Sequence, residues 1–221
     1  MKRKHILTIL SLSLLTLLSC SKDNYDEPEN ELTGTIVFNG QPIGLRQTDE
    51  AVQMQLWQDG YELYTAIPVY VTQEGTFTAK LFNGTYKLVS RDKNGPWINS
   101  RDTVTIQVNG RTTVEYPVKP YYTISNAKYQ VEGDSLIATF DVSKANGDEP
   151  IEYIRLFINK TKFADIGNNV RSTDAAQKTT GSHRIAMKIS DRSDKYLFAR
   201  IGVKTSGIDH LIYTVGSEQV K

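Results

Sequence analysis

Apolar residues recur at every second position through much of this chain. Phe77, Ala79 and Leu81 share one parity with polar residues between them, and Val104, Ile106 and Val108 repeat the pattern with Thr and Gln opposite. A period of two marks a strand that buries one face and leaves the other wet. The runs are parted by Asn39-Gly40, Asp59-Gly60, Asn83-Gly84, Asn94-Gly95 and Asn109-Gly110, dipeptides that accept the positive φ angles of tight turns. The spacing predicts strands near 32–38, 52–57, 66–71, 76–81, 85–90, 103–108 and 112–118. Short antiparallel strands of this number and length make a small β-sandwich.

The pattern restarts at Val118-Lys119-Pro120-Tyr121-Tyr122, and proline, which donates nothing to a sheet ladder, marks a boundary there. Beyond it Leu136, Ala138, Phe140 and Val142 alternate, as do Ile154, Leu156 and Ile158, then Leu197, Ala199, Ile201 and Val203. The prediction is all-β: two tandem antiparallel sandwiches, residues 32–119 and 120–221, each with its own core, the second immunoglobulin- or fibronectin-like by strand number and length. Thr161 to His183 breaks the rhythm with an Asn/Thr/Ser-rich stretch. A loop this long in a compact unit is functional or mobile, and it has room for an edge strand or a short helix.

The N-terminus follows another rule. Lys2, Arg3 and Lys4 precede an apolar run from Ile6 to Leu18, then Ser19 and Cys20, the single cysteine. The run is shorter than the roughly 20 residues that span a bilayer, and its order is that of an export signal over residues 1–19. Leu17-Leu18-Ser19-Cys20 resembles a bacterial lipobox, which implies cleavage before Cys20 and acylation of its thiol. Ser21 to Glu31 is acid-rich with a single lysine and can bury almost nothing, so residues 20–31 are expected to be a flexible tether. An acidic stretch straight after the lipid-bearing cysteine resembles the signal that sends Bacteroidetes lipoproteins to the outer face of the outer membrane. The resemblance implies a lipid-anchored protein facing the cell exterior.

Removal of residues 1–19 takes away three positive charges and no acids, so the formal charge goes from +1 to −2. A nearly neutral body lacks the basic footprint of a nucleic-acid binder. His183 and His210 have no paired metal-ligand spacing, and no G-x-S-x-G, H-E-x-x-H or Gly-rich phosphate loop is present. Neither a catalytic residue, a metal ligand nor a cofactor is predicted, although spacing alone cannot find the facing carboxylates of a glycosidase. Aromatic residues are the remaining candidates. Trp57 has the parity of Gln53 and Gln55, opposite to core-facing Val52, Met54 and Leu56, and should point outward. Tyr61 and Tyr64 follow the Asp59-Gly60 turn, and Trp97 sits in Asn94-Gly95-Pro96-Trp97, where exposure is expected. Exposed rings stack on the apolar faces of sugars while Gln, Asn and Asp read hydroxyls; alternatively such rings pack between domains or shield an edge.

Two resemblances sharpen this. Leu32-Thr33-Gly34-Thr35-Ile36, Gly40-Gln41-Pro42-Ile43, Gly75-Thr76-Phe77 and Leu81-Phe82-Asn83-Gly84-Thr85-Tyr86 resemble the carboxypeptidase-regulatory-like (transthyretin-like) domain. That likeness implies buried Phe77 and Tyr86 and no chemistry. With Asn126-Ala127, Tyr153-Ile154-Arg155-Leu156-Phe157 and Phe198-Ala199-Arg200-Ile201-Gly202, the mature chain resembles a Bacteroidetes lipoprotein family of unknown function encoded beside SusC-like transporters and SusD-like binding lipoproteins. It implies a non-catalytic role in glycan capture or uptake, with a structural subunit of the transporter complex that binds no sugar as the alternative and an enzyme as the third.

Overall fold

A computed structural model describes residues 26–221. The expected signal segment, Cys20 and residues 21–25 of the expected tether lie outside the described residues, and the last two residues assigned to the tether, Asn30 and Glu31, already belong to a strand paired with Leu81 and Lys80. Strands β1 (Asn30–Phe38), β2 (Gln41–Pro42), β3 (Gln53–Trp57), β4 (Ile67–Tyr70), β5 (Thr76–Leu81), β6 (Gly84–Ser90), β7 (Val104–Val108) and β8 (Arg111–Pro117) make the first half. They form two facing sheets. In one, β1 pairs antiparallel with β5 and parallel with β8, and β2 continues its end; the other has the order β4-β3-β6-β7. Every strand expected here is present, because alternation and Asn-Gly turns point to the same register. Leu32, Ile36, Met54, Leu56, Phe77, Tyr86 and Leu88 fill the space between the sheets.

The second half has β9 (Tyr122–Glu132), β10 (Ser135–Lys144), β11 (Ile151–Asn159), β12 (Arg171–Asp174), β13 (Gly181–Lys188), β14 (Phe198–Thr205), β15 (Ile212–Tyr213) and β16 (Glu218–Gln219). One sheet has the order β13-β10-β9, the other β12-β11-β14-β15, with β16 also on β14. The polar stretch from Thr161 contains the edge strand β12, and its first part folds over the outer face of β11. There Ala164 packs with Phe157, Leu211 and Tyr213 in a small second cluster. The chain is thus all-β, with two separate sandwich-like regions.

These regions are separate as sheets but continuous as packing. A single apolar cluster runs from Leu32 through Trp97, Tyr116 and Tyr121 to Leu136, Ile201 and Ile212. The expectation of two independent cores is therefore corrected. The reason lies in the outer face of β14, which solvent does not wet: Gly44 of the first half bridges Tyr213, whose N–H donates to the Gly44 carbonyl at 3.0 Å. Arg200, buried on that face, donates from Nη2 to the Gln73 carbonyl and from Nε to the Thr214 carbonyl, both at 2.9 Å. Its guanidinium lies 4.6 Å from the centre of the Tyr213 ring. Burial pushes its pKa down to about 10, which still leaves it charged at neutral pH. Beside it the buried Asp165 carboxylate accepts from Thr48 Oγ1 at 2.8 Å and faces Arg46 Nε at 3.5 Å.

Candidate functional site

The outer face of the β4-β3-β6-β7 sheet presents the ring and amide chemistry that the sequence pointed to. Gln53, Gln55 and Trp57 alternate with buried Met54 and Leu56 along β3, so the expected parity of Trp57 holds. Pairing sets Tyr70 directly across from Gln53, Pro68 across from Gln55 and Lys87 across from Trp57. All therefore share one face, about 13 Å long along β3 at the usual rise per residue.

Trp57 is half-buried because Tyr64 folds back onto it, their ring centres 4.9 Å apart and tilted by 33°. Lys87 Nζ reaches Asp59 at 2.8 Å, tying the Asp59-Gly60 turn to β6, and the bond to Asp59 raises the pKa of this half-exposed lysine. Tyr61 and Tyr64 are exposed, as is Tyr70 at the other end of the face. The Tyr70 phenol is raised above its ordinary value by a hydrogen bond with Glu50. Rings at both ends, amides between them and an ion pair at one margin form a shallow stacking surface.

Trp97 is elsewhere and is not exposed: only 4% of it meets solvent. Its exposure was the wrong expectation, and the cause is local. The loop after β6 folds back across the open end of the sandwich, with Trp97 bridging Pro120 and the Ile98 N–H donating to the Lys119 carbonyl at 2.9 Å. Gly95 lets the indole lie flat against the backbone, since a Cβ there would stand 2.2 Å from the ring. Trp97 lines a cleft of about 480 Å³ between Phe38, Val104 and Tyr116. The structure brings Trp57 and Tyr64 together, leaves Tyr61 exposed in the same loop, and places Trp97 at the opposite end of the first sandwich.

Tyr70 was missed by sequence reasoning, although its parity against Val69 and Val71 was available. His183 stacks on Phe140 with centres 5.4 Å apart, and His210 meets Asn94 across the junction. Among the described residues no group of His, Cys, Asp and Glu is placed to hold a metal ion.

Fold and surface together define an all-β, two-sandwich protein with a shallow aromatic face. The chain belongs to the DUF3823 family: residues 30–119 match the model described as protein of unknown function (DUF3823) N-terminal domain, and residues 122–217 match domain of unknown function DUF3823_C. A DUF3823 family protein from Parabacteroides merdae is 41% identical with a TM-score of 0.83, covering 89% of this chain and 100% of that one. A second, from Bacteroides ovatus, is 29% identical with a TM-score of 0.79 over 87% of this chain and 98% of its own. A Bacteroides uniformis protein to which carbohydrate binding has been ascribed has the same fold, at 17% identity and a TM-score of 0.69 over 88% and 99%. No curated protein matches the chain.

Proposed function

We propose that this protein is a non-catalytic lipoprotein, anchored through Cys20 on the exterior of the outer membrane, that helps a SusC/SusD-type transporter capture glycan. In this reading residues 32–119 are the transthyretin-like sandwich and residues 120–221 the immunoglobulin-like one. The outer face of β3 and β4 holds the sugar. The observation that carries this is the row from Tyr70 through Gln53 and Gln55 to Trp57, capped by Tyr64. Rings at the two ends stack on pyranose faces, and the glutamine amides between them can both donate to and accept from hydroxyls. The carbohydrate binding ascribed to the Bacteroides uniformis relative supports the same reading. Affinity electrophoresis against a panel of polysaccharides tests it: retardation by at least one, lost in Trp57→Ala and in Tyr70→Ala, is the expected result. No retardation by any of them moves the function to the alternative, a structural subunit of the transporter complex.

A further inference from the structure

The end of the first sandwich remote from the junction is built from the start of β1, the turns β5–β6 and β7–β8, and the loop 58–66. Leu63 is 76% exposed there, and Phe82 and Tyr61 are exposed in turns at the same end. Neither the core nor the glycan face uses Leu63 or Phe82, and no turn geometry requires them. Apolar residues concentrated at loop tips mark a contact surface. At this end Lys80, Lys87 and Arg111 stand against Glu31, Asp59 and Glu62, and the entering chain adds Asp26, Glu27 and Glu29, so the end is mildly acidic and suits a zwitterionic rather than an anionic lipid surface.

The polypeptide also enters at this end. Asn30 is fastened by its Nδ2, which donates to the Leu81 carbonyl at 3.2 Å, and by its Oδ1, which accepts the Gly110 N–H at 2.6 Å. From Cys20 to Asn30 is ten residues, which span no more than about 35 Å fully extended. We infer that this end rests on the bilayer, with Leu63 and Phe82 reaching the acyl boundary and Tyr61 at headgroup level, where tyrosine concentrates. The inference rests on the Cys20 anchor proposed above. A short tether holds the end at a high effective concentration beside the lipid, so a small apolar contact suffices. The glycan face then stands on the flank of the molecule, open sideways along the membrane.

The test uses the full lipidated chain in phosphatidylcholine vesicles, with and without brominated acyl chains that quench tryptophan. Trp57→Phe and Trp97→Phe remove the native indoles, and either Leu63→Trp or Val131→Trp supplies one. Val131 is exposed beside the β9–β10 turn, at the far end of the other sandwich. Should Trp97→Phe prove unstable, Trp97 is retained as a reference and the difference is read. The Leu63→Trp protein should shift to the blue and lose emission in brominated vesicles, and the Val131→Trp protein should not. Equal emission from vesicle-bound Leu63→Trp in both lipids overturns the bilayer contact and leaves the anchor standing; a tip that docks on protein gives that result. A chain that fails to float with vesicles at all overturns the anchor and this inference with it.

Discussion

The two tryptophans show what a single position reveals and what it hides. Trp57 was legible because strand parity is a local rule: once Met54 and Leu56 are core, Trp57 must face the other way. Trp97 was not legible, because Gly95-Pro96 announces a turn without saying where the turn lands. Landing on the open end of the sandwich converts an expected surface ring into a structural one. The two should therefore respond oppositely to truncation. Trp97→Ala should cost about 3–5 kcal/mol of stability, the usual loss for a buried aromatic, with little effect on sugar retardation. Trp57→Ala should leave the melt nearly unchanged and lower glycan affinity by about 1–3 kcal/mol, taking base-on-ring stacking as the guide. Urea unfolding and glycan titration of both variants measure this, and a large stability loss in Trp57→Ala alone would reverse the assignment.

At the scale of elements, strands with three or more alternating apolar residues were visible, whereas β13, which buries only Ile185 and Met187, and β9, whose alternation a bulge interrupts, were not. The strand β9 escaped notice because its half-buried residues run Ile124, Ala127, Tyr129, a step of three and then two. The pairing explains the step: Ser125 faces Asp141 and Lys128 faces Thr139, so Asn126 and Ala127 together oppose Phe140. Asn126 takes the left-handed conformation at φ 53°, and its side-chain amide donates to Asp141 at 2.7 Å. Asparagine tolerates that conformation and a β-branched residue does not. Asn126→Gly should therefore melt close to the parent, whereas Asn126→Val should lose about 1–3 kcal/mol. Equal melting of both would mean that the bulge relaxes without cost. The short strand β12 was hidden differently: its residues, Arg171 to Asp174, are polar on both parities and pair at an edge.

The junction between the halves adds a pH dependence. Asn94 Oδ1 accepts the Gln53 N–H at 2.6 Å, which turns the amide nitrogen toward the Ala51 carbonyl at 2.7 Å and His210 Nε2 at 3.1 Å. His210 Nε2 is therefore an acceptor. Burial first, then the nearby Arg46, Lys204 and Arg91, lower its pKa, although Asp209 opposes them. A histidine with a depressed folded pKa takes its proton first in the unfolded chain. Stability should therefore fall as pH drops below about 6.5, and the loss should stop growing once the folded pKa is passed. Between pH about 7.5 and about 5.5 the parent should lose more of its melting temperature than His210→Gln. Identical losses would show that the junction does not sense this proton.

For the whole molecule, the sandwich count was legible and the coupling between sandwiches was not. Strand alternation reports which residues face inward within one sheet, and it carries no information about what covers an outer face. The outer face of β14 is covered by another part of the chain, and the pieces that do so are short: Gly44, Gln73 and the loop around Asp165. Breaking the chain near Pro120 would expose Arg200 and Tyr213 to solvent and open a cluster that spans both halves. Melting of the chain should accordingly be one cooperative transition, with calorimetric and van't Hoff enthalpies in agreement. Gly44→Ala is the sharpest probe, because a Cβ there would stand 2.3 Å from the Tyr213 carbonyl oxygen, a backbone atom that cannot swing aside. The methyl group should force the halves apart and split the single transition into two, while the glycan face, which lies wholly within the first half, keeps its affinity. A single unshifted transition in Gly44→Ala would mean that the junction contributes nothing to the cooperativity of the fold.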